Sequence, residues 1–162
     1  DWSSDVCSSD RGGFGLACVS DVAISRDNAQ FGLPETGLGL IPAQIAPFVV
    51  KRIGLTQARR LALLGMRFEG HTALSVGVVH QIAHNEIELE QALQETIQQI
   101  KRAAPQASRA TKALLHRTLN EPLNELLNDA AQQFAQAVGG AEGQEGTMAF
   151  IQKRLPNWTD ES

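Results

Sequence analysis

The chain has 162 residues, 43% of them hydrophobic and 20% charged, with a formal net charge of −4. That is enough apolar side chain for one core of ordinary size, which argues against wholesale disorder, and no apolar run approaches the roughly 20 residues that cross a bilayer. A mildly acidic balance with no block of Lys or Arg leaves no electrostatic footprint for a phosphate backbone, so neither nucleic acid nor a membrane is an expected partner.

In chain order, residues 1–11 are expected to be a non-native segment. Asp1 to Asp10 show neither a strand nor a helix period and no apolar signal-peptide region, and they look like a sequencing-library adapter translated in frame. Native sequence is expected to begin at Arg11 or Gly12 and to have extended upstream; a native, polar, disordered tail is the alternative. Cys7 and Cys18 cannot form a disulfide framework and have no metal-ligand spacing with any histidine, so a reducing compartment, the cytoplasm, is expected.

Residues 12–54 hold seven of the fourteen glycines and three short apolar runs: Val22-Ala23-Ile24, Phe31 to Leu33 and Leu38 to Pro42. Short runs bounded by Gly, Pro and Asn predict buried strands with functional loops between them, hence an α/β segment. Helical spacing dominates residues 55–162. Leu89, Leu93, Ile97 and Ile100 form one stripe, and Leu123, Leu126, Leu127, Ala130, Ala131, Phe134 and Val138 form another, opened after Pro122 and stopped by Gly139-Gly140. Both stripes predict core or subunit-contact faces.

Two features could carry chemistry. Gly12-Gly13-Phe14-Gly15 leads into Leu16-Ala17-Cys18-Val19, a glycine-rich turn opening a helix. Such a turn presents free backbone N–H groups to an anion or a developing oxyanion, or it is simply a tight turn beneath a helix. Glu35 sits inside the apolar, glycine-rich run from Phe31 to Pro42. A carboxylate buried without a partner is costly to keep charged, and that is the setting of groups that exchange protons; an exposed loop glutamate is the alternative. His71, His80, His84 and His116 are scattered without the spacing of a metal site, so no metal is expected and structural roles are favoured. The basic pairs Lys51-Arg52 and Arg59-Arg60 are expected to be solvated.

The serial order of Gly12-Gly13-x-x-Leu16-Ala17, Asp21-Val22-Ala23-Ile24, Ala29-Gln30-Phe31-Gly32-Leu33-Pro34-Glu35-x-x-Leu38-Gly39-Leu40-Ile41-Pro42, Ile53-Gly54 and Ala58-x-x-Leu61 resembles the crotonase (enoyl-CoA hydratase/isomerase) family. Leu64-Gly65-x-Arg67-Phe68 and Ala73-x-x-x-Gly77-Val78-Val79 resemble its helical linker. Glu145-Gly146-x-Met148-Ala149-Phe150-x-x-Lys153-Arg154-x-Pro156-x-Trp158 resembles its C-terminal signature.

The resemblance implies an α/β chain: the C-terminal part of a crotonase-like (ββα spiral) fold over residues 12–54, followed over 55–162 by a helical linker and a trimerisation region. It implies an enzyme acting on an acyl-CoA thioester, with CoA entering as part of the substrate and no separate cofactor, assembled as a homotrimer or homohexamer. The glycine matched by Gly12 supplies one of two N–H donors to the thioester carbonyl, which stabilises an enolate-like intermediate. Glu35 matches a glutamate that exchanges a proton with the acyl α-carbon or with water. Phe150 and Lys153 match positions that contact the adenine and phosphate end of CoA; a solvated helix end is the alternative reading of these two.

A second glutamate used by many family hydratases falls at Gly15, where there is no carboxylate. That departure, together with Leu40 to Val50, resembles a bacterial branch acting on branched glutaconyl-type substrates, the 3-methylglutaconyl-CoA and isohexenylglutaconyl-CoA hydratases. An isomerase moving a double bond with one glutamate, and an inactive truncated member that only assembles through its helices, are the other expectations.

Overall fold

The computed structural model describes residues 11–159, so the expected non-native segment 1–11 lies outside the described residues except for Arg11, the first residue of a helix. The chain forms two compact units, the first ending at Gln94 and the second beginning at Glu95.

In the first unit, helix α1 (Arg11–Val19) runs through the glycine cluster instead of starting after it. Phe14 and Cys18, one turn apart, are both buried, and packing of that face offsets the roughly 1 kcal/mol that each helical glycine costs relative to alanine. Strand β1 (Ile24–Arg26) lies parallel to β4 (Gln81–Ala83), with Ser25 opposite Ile82. The two-residue strand β2 (Phe31–Gly32) pairs antiparallel with β3 (Arg67–Phe68). The Phe31 and Phe68 rings stack at 5.8 Å and the Phe14 ring stands edge-on to Phe68 at 5.9 Å, so the antiparallel pair is locked to α1 by aromatic contact. Phe14, Leu33, Val49, Leu61 and Val78 form the centre of the core.

The expected third strand does not form. Pro34–Leu38 is a short 3-10 helix, closed by Gly39 in the left-handed region (φ 71°), whose N–H donates to the carbonyls of Glu35 and Thr36. Leu38, Leu40 and Ile41 are exposed. The run reads as a strand because it is apolar, but a left-handed glycine in its middle turns the backbone out of any ladder.

Helix α2 (Ala46–Leu63) is broken at Gly54 (φ 75°, ψ 161°). After it come α3 (Gly70–Val76) and the first turns of α4 (Glu86–Arg102). Gly70 starts α3 against β1: a Cβ there would lie 2.5 Å from the Arg26 carbonyl oxygen, and its N–H donates to the Asp27 carbonyl at 2.9 Å. His84 Nδ1 lies 2.9 Å from the Asp27 carboxylate. That hydrogen bond is the main reason His84 titrates above its ordinary value and Asp27 below.

Arg52, expected to be solvated, is a cross-link. Its guanidinium donates to the carbonyls of Ser20 at 3.0 Å, Gly77 at 3.1 Å and Val78 at 2.9 Å, joining the end of α1 to the loop before β4. Beside it His80 Nδ1 accepts the Ala23 N–H at 3.0 Å. Burial, then the Arg52 charge, lower the His80 pKa and favour the neutral ring that this acceptor role needs. Five guanidinium N–H donors in a rigid planar fork let one side chain satisfy three carbonyls at once. Arg52→Met is expected to destabilise the chain by roughly 2 to 3 kcal/mol, the usual cost of losing charge-assisted hydrogen bonds while leaving their carbonyls unpaired, measured by urea unfolding.

The second unit contains the end of α4, α5 (Pro105–Arg117), α6 (Leu123–Gly139), α7 (Ala141–Gln152) and a final 3-10 turn (Asn157–Thr159). The Pro122 and Gly139-Gly140 boundaries read from the sequence are those of α6. Glu142, on α7, caps α5: its carboxylate accepts the backbone N–H groups of Gln106 and Ala107 at 2.8 and 3.0 Å, which have no partner inside the helix. Arg117 binds Glu121 and Asp129. Gly143 permits α7 to cross the end of α6, since a Cβ would fall 2.1 Å from the Ala137 carbonyl oxygen. Of the α6 stripe, Leu126 is buried, whereas Leu123, Leu127, Phe134 and Val138 are exposed in this chain.

Glu145 accepts both Arg154 guanidinium nitrogens, at 2.6 and 2.9 Å, and the Asn157 N–H at 2.9 Å. The Arg154 hydrogen bonds, then that of Asn157, hold its carboxyl down to about 2 from an ordinary 4.5. A depressed folded-state value means the stabilisation is complete above about 4.5 and is lost as pH falls through about 2. The stability difference between the wild type and Glu145→Gln should therefore stay constant from pH 7 to about 5 and shrink towards pH 2, as read by denaturant midpoints across that range.

Candidate active site around Glu35

Glu35 is the second residue of the 3-10 turn and only 8% exposed. The turn is short because Pro34 sets its first φ and Gly39 ends it. The corner after α2 grips it from both ends. The Leu33 N–H donates to the Met66 carbonyl at 3.1 Å, and the Thr36 hydroxyl donates to the Ala62 carbonyl at 2.7 Å. That corner is itself closed by the Met66 N–H on the Leu61 carbonyl at 3.0 Å and by Gly65 at φ 57°, where a Cβ would lie 3.2 Å from the Thr36 hydroxyl oxygen. The Leu40 N–H returns to the Glu35 carbonyl at 2.9 Å.

The Glu35 carboxyl is thus held by its backbone and not by a partner. Its Oε2 is buried and makes no hydrogen bond, an arrangement that folded proteins keep rare. It lines an open cleft of about 500 Å³ with residues 40 to 45. Glu35 thus stands in the wall of the cleft with one carboxyl oxygen unpaired and shielded from solvent, the setting of groups that exchange protons.

Gly15, on α1, packs against one residue of that lining. A Cβ built on it would lie 3.5 Å from Ile45 Cδ1, and Ile45 lines the Glu35 cleft. The position where many family hydratases carry a carboxylate is therefore empty of side chain and covered by an aliphatic one. Gly12 lies in the first turn of α1, where backbone N–H groups lack an intrahelical partner; its surroundings are outside the described residues. Phe150, 82% exposed, and Lys153, the left-handed cap of α7 (φ 54°), sit together at the end of α7 in the second unit. Among the described residues no three of His, Cys, Asp and Glu gather as a metal ion would require, and no helix is long and apolar enough to cross a membrane.

Thr36 and Ile45 had no place among the sequence-level candidates. Thr36 had one signal, a hydroxyl next to the glutamate inside a Pro-initiated turn; the role of Ile45 rests on a contact 30 positions distant and had none. Thr36→Val, which keeps the shape and deletes the hydroxyl, is expected to cost about 1 kcal/mol, the usual worth of one hydrogen bond, since the Ala62 carbonyl keeps the Gly65 N–H at 3.2 Å, while Thr36→Ser stays near wild type; urea unfolding of the pair measures it.

The model of the family described as "Enoyl-CoA hydratase/isomerase" matches residues 8–161. Among solved structures, Pseudomonas aeruginosa AtuE is 64% identical with a TM-score of 0.89, over 91% of this chain and 57% of that one. An enoyl-CoA hydratase/isomerase from Marinobacter aquaeolei is 59% identical with a TM-score of 0.88, over 91% and 56%. The 2,3-dehydroadipyl-CoA hydratase of Escherichia coli is 31% identical over 88% of this chain and 56% of its own length. The chain thus spans little more than half of each of these proteins. With the family model matching nearly the whole chain and the fold shared with these structures, the chain belongs to the enoyl-CoA hydratase/isomerase family.

Proposed function

We propose that the protein works as an enoyl-CoA hydratase-type lyase, adding water to an α,β-unsaturated acyl-CoA. The observation that carries this reading is the Glu35 carboxyl, buried in an open cleft with one oxygen unpartnered. Backbone N–H donors, the Gly12 group among them, hold the thioester oxygen. As water attacks the β-carbon, a C–O bond forms, the π electrons move towards the thioester oxygen, and the enolate is quenched by a proton at the α-carbon. Since Gly15 offers no second carboxylate, Glu35 takes the proton from water and returns one at the α-carbon.

Gly15 and the Leu40 to Val50 run favour a branched glutaconyl-type acyl group, of the 3-methylglutaconyl or isohexenylglutaconyl kind. Phe150 and Lys153, exposed together at the end of α7, hold the adenine and phosphate end of CoA, with Lys153 as a point charge for phosphate. CoA comes with the substrate and no other cofactor is needed. The exposed Leu123, Leu127, Phe134 and Val138 of α6 supply a subunit contact for a homotrimer or homohexamer, working in the cytoplasm.

A Δ3 to Δ2 enoyl-CoA isomerase is the second reading, favoured by the single carboxylate beside Ile45, because one glutamate suffices to move a proton between two carbons. Product analysis separates the two. A hydroxyacyl-CoA from the α,β-unsaturated substrate is the expected outcome, and a shifted alkene from the β,γ isomer with no hydration points to the isomerase. In either case Glu35→Gln should lower kcat by about 10² to 10⁴. No change in Glu35→Gln would leave a chain that assembles without catalysing.

A further inference from the structure

The cleft beside Glu35 has few polar side chains among its described lining residues. Among the described residues it is lined by Leu40, Ile41, Pro42, Ala43 and Ile45, and only Glu35 and Gln44 of them bring side-chain hydrogen-bonding atoms to it. The loop backbone is occupied internally: the Ala43 N–H donates to the Ile41 carbonyl at 2.9 Å and the Ala46 N–H to the Pro42 carbonyl at 3.0 Å, which fixes where residues 43 to 45 stand. Gln44 is exposed to the cleft, and among the described residues its amide is engaged by no hydrogen bond.

From this we propose that Gln44 determines acyl specificity, its amide N–H donating to an acceptor, a carboxylate or carbonyl oxygen, on the acyl chain beyond the reacting double bond. The inference rests on the reading of Glu35 as the proton-exchanging group of this cleft. An apolar wall separates acyl chains by little more than size, whereas a hydrogen-bonding side chain rejects an analogue that lacks the matching group. With Glu35 read as the proton-exchanging group, Gln44 is the side chain among the described lining residues that can make that distinction. Its neutrality matters: a lysine or arginine at the same place would recognise a carboxylate more strongly, but its charge beside Glu35 would stabilise the ionised carboxyl and hinder proton return.

Saturated thioesters test this without any chemistry. Calorimetric titration of the protein with glutaryl-CoA and with pentanoyl-CoA, which differ at the far end of the acyl chain, should show a preference of about tenfold or more for glutaryl-CoA. Gln44→Leu should bring the ratio close to one by weakening glutaryl-CoA alone. Gln44→Asn, which keeps the amide on a shorter arm, should restore part of the preference. An unchanged ratio in Gln44→Leu, equal weakening of both thioesters, or a wild type that binds both alike or neither overturns the proposal. Neither ligand reacts, so the outcome is independent of turnover; failure of the Glu35 reading shows separately, as a Glu35→Gln variant of undiminished rate.

Discussion

A buried carboxyl oxygen without a hydrogen-bond partner sets the terms for the first unit. Leaving Glu35 Oε2 unpaired costs on the order of a few kcal/mol, and the surrounding chain must over-determine the turn for that state to persist. The corner of residues 61 to 66 does so. The carbonyls of Ala62 and Met66 accept from Thr36 and Leu33, on either side of Glu35. The apolar side chains of Leu33 and Leu61, adjoining those contacts, are fully buried and contribute roughly 1.5 to 3 kcal/mol each. The hydrophobic core thus holds in place a polar group it does not satisfy.

The same economy explains where glycines are indispensable. Gly65 stands at positive φ with Thr36 against it, and Gly70 lets α3 meet the carbonyls of β1. Gly15 differs, because its missing side chain leaves space that Ile45 approaches at van der Waals distance. A side chain at Gly15 would begin in ordinary contact with Ile45, which is part of the cleft wall. The aliphatic wall and the lone carboxylate are two aspects of one packing solution.

The second unit is built on different principles. Its helices are tied by charge-assisted contacts at their ends, Glu142 on the α5 N-terminus, Arg117 between Glu121 and Asp129, and Glu145 between Arg154 and Asn157. Much of the apolar α6 stripe is uncovered within the chain. Helices fastened at their ends and left apolar along one face suit a scaffold that completes its burial against another surface, while the first unit buries polar groups in β1 and in the Glu35 turn.

Periodicity and punctuation made the helical half legible. The α6 boundaries follow directly from Pro122 and Gly139-Gly140, and the leucine and isoleucine spacing marks α4, because both signals are local and a helix is a local structure. Glu35 stood out for the same kind of reason, as a carboxylate in an apolar run, and the ordered motifs marked the family. The strand expected over residues 38–42, the solvated Arg52 and the helix start at Leu16 each failed where a distant contact outweighed local preference. Arg52 finds its carbonyls 32, 25 and 26 positions away, α1 extends through glycines because Phe14 meets Phe68, and Gly39 turns a run that hydropathy alone reads as extended. The sequence by itself therefore determined the main helices of the second half and the family, and singled out Glu35 as a candidate. Only the tertiary structure decided that Glu35 is buried and unpartnered, that Ile45 faces Gly15 and that Gln44 shares the cleft, since these depend on contacts and burial created when separated segments pack together.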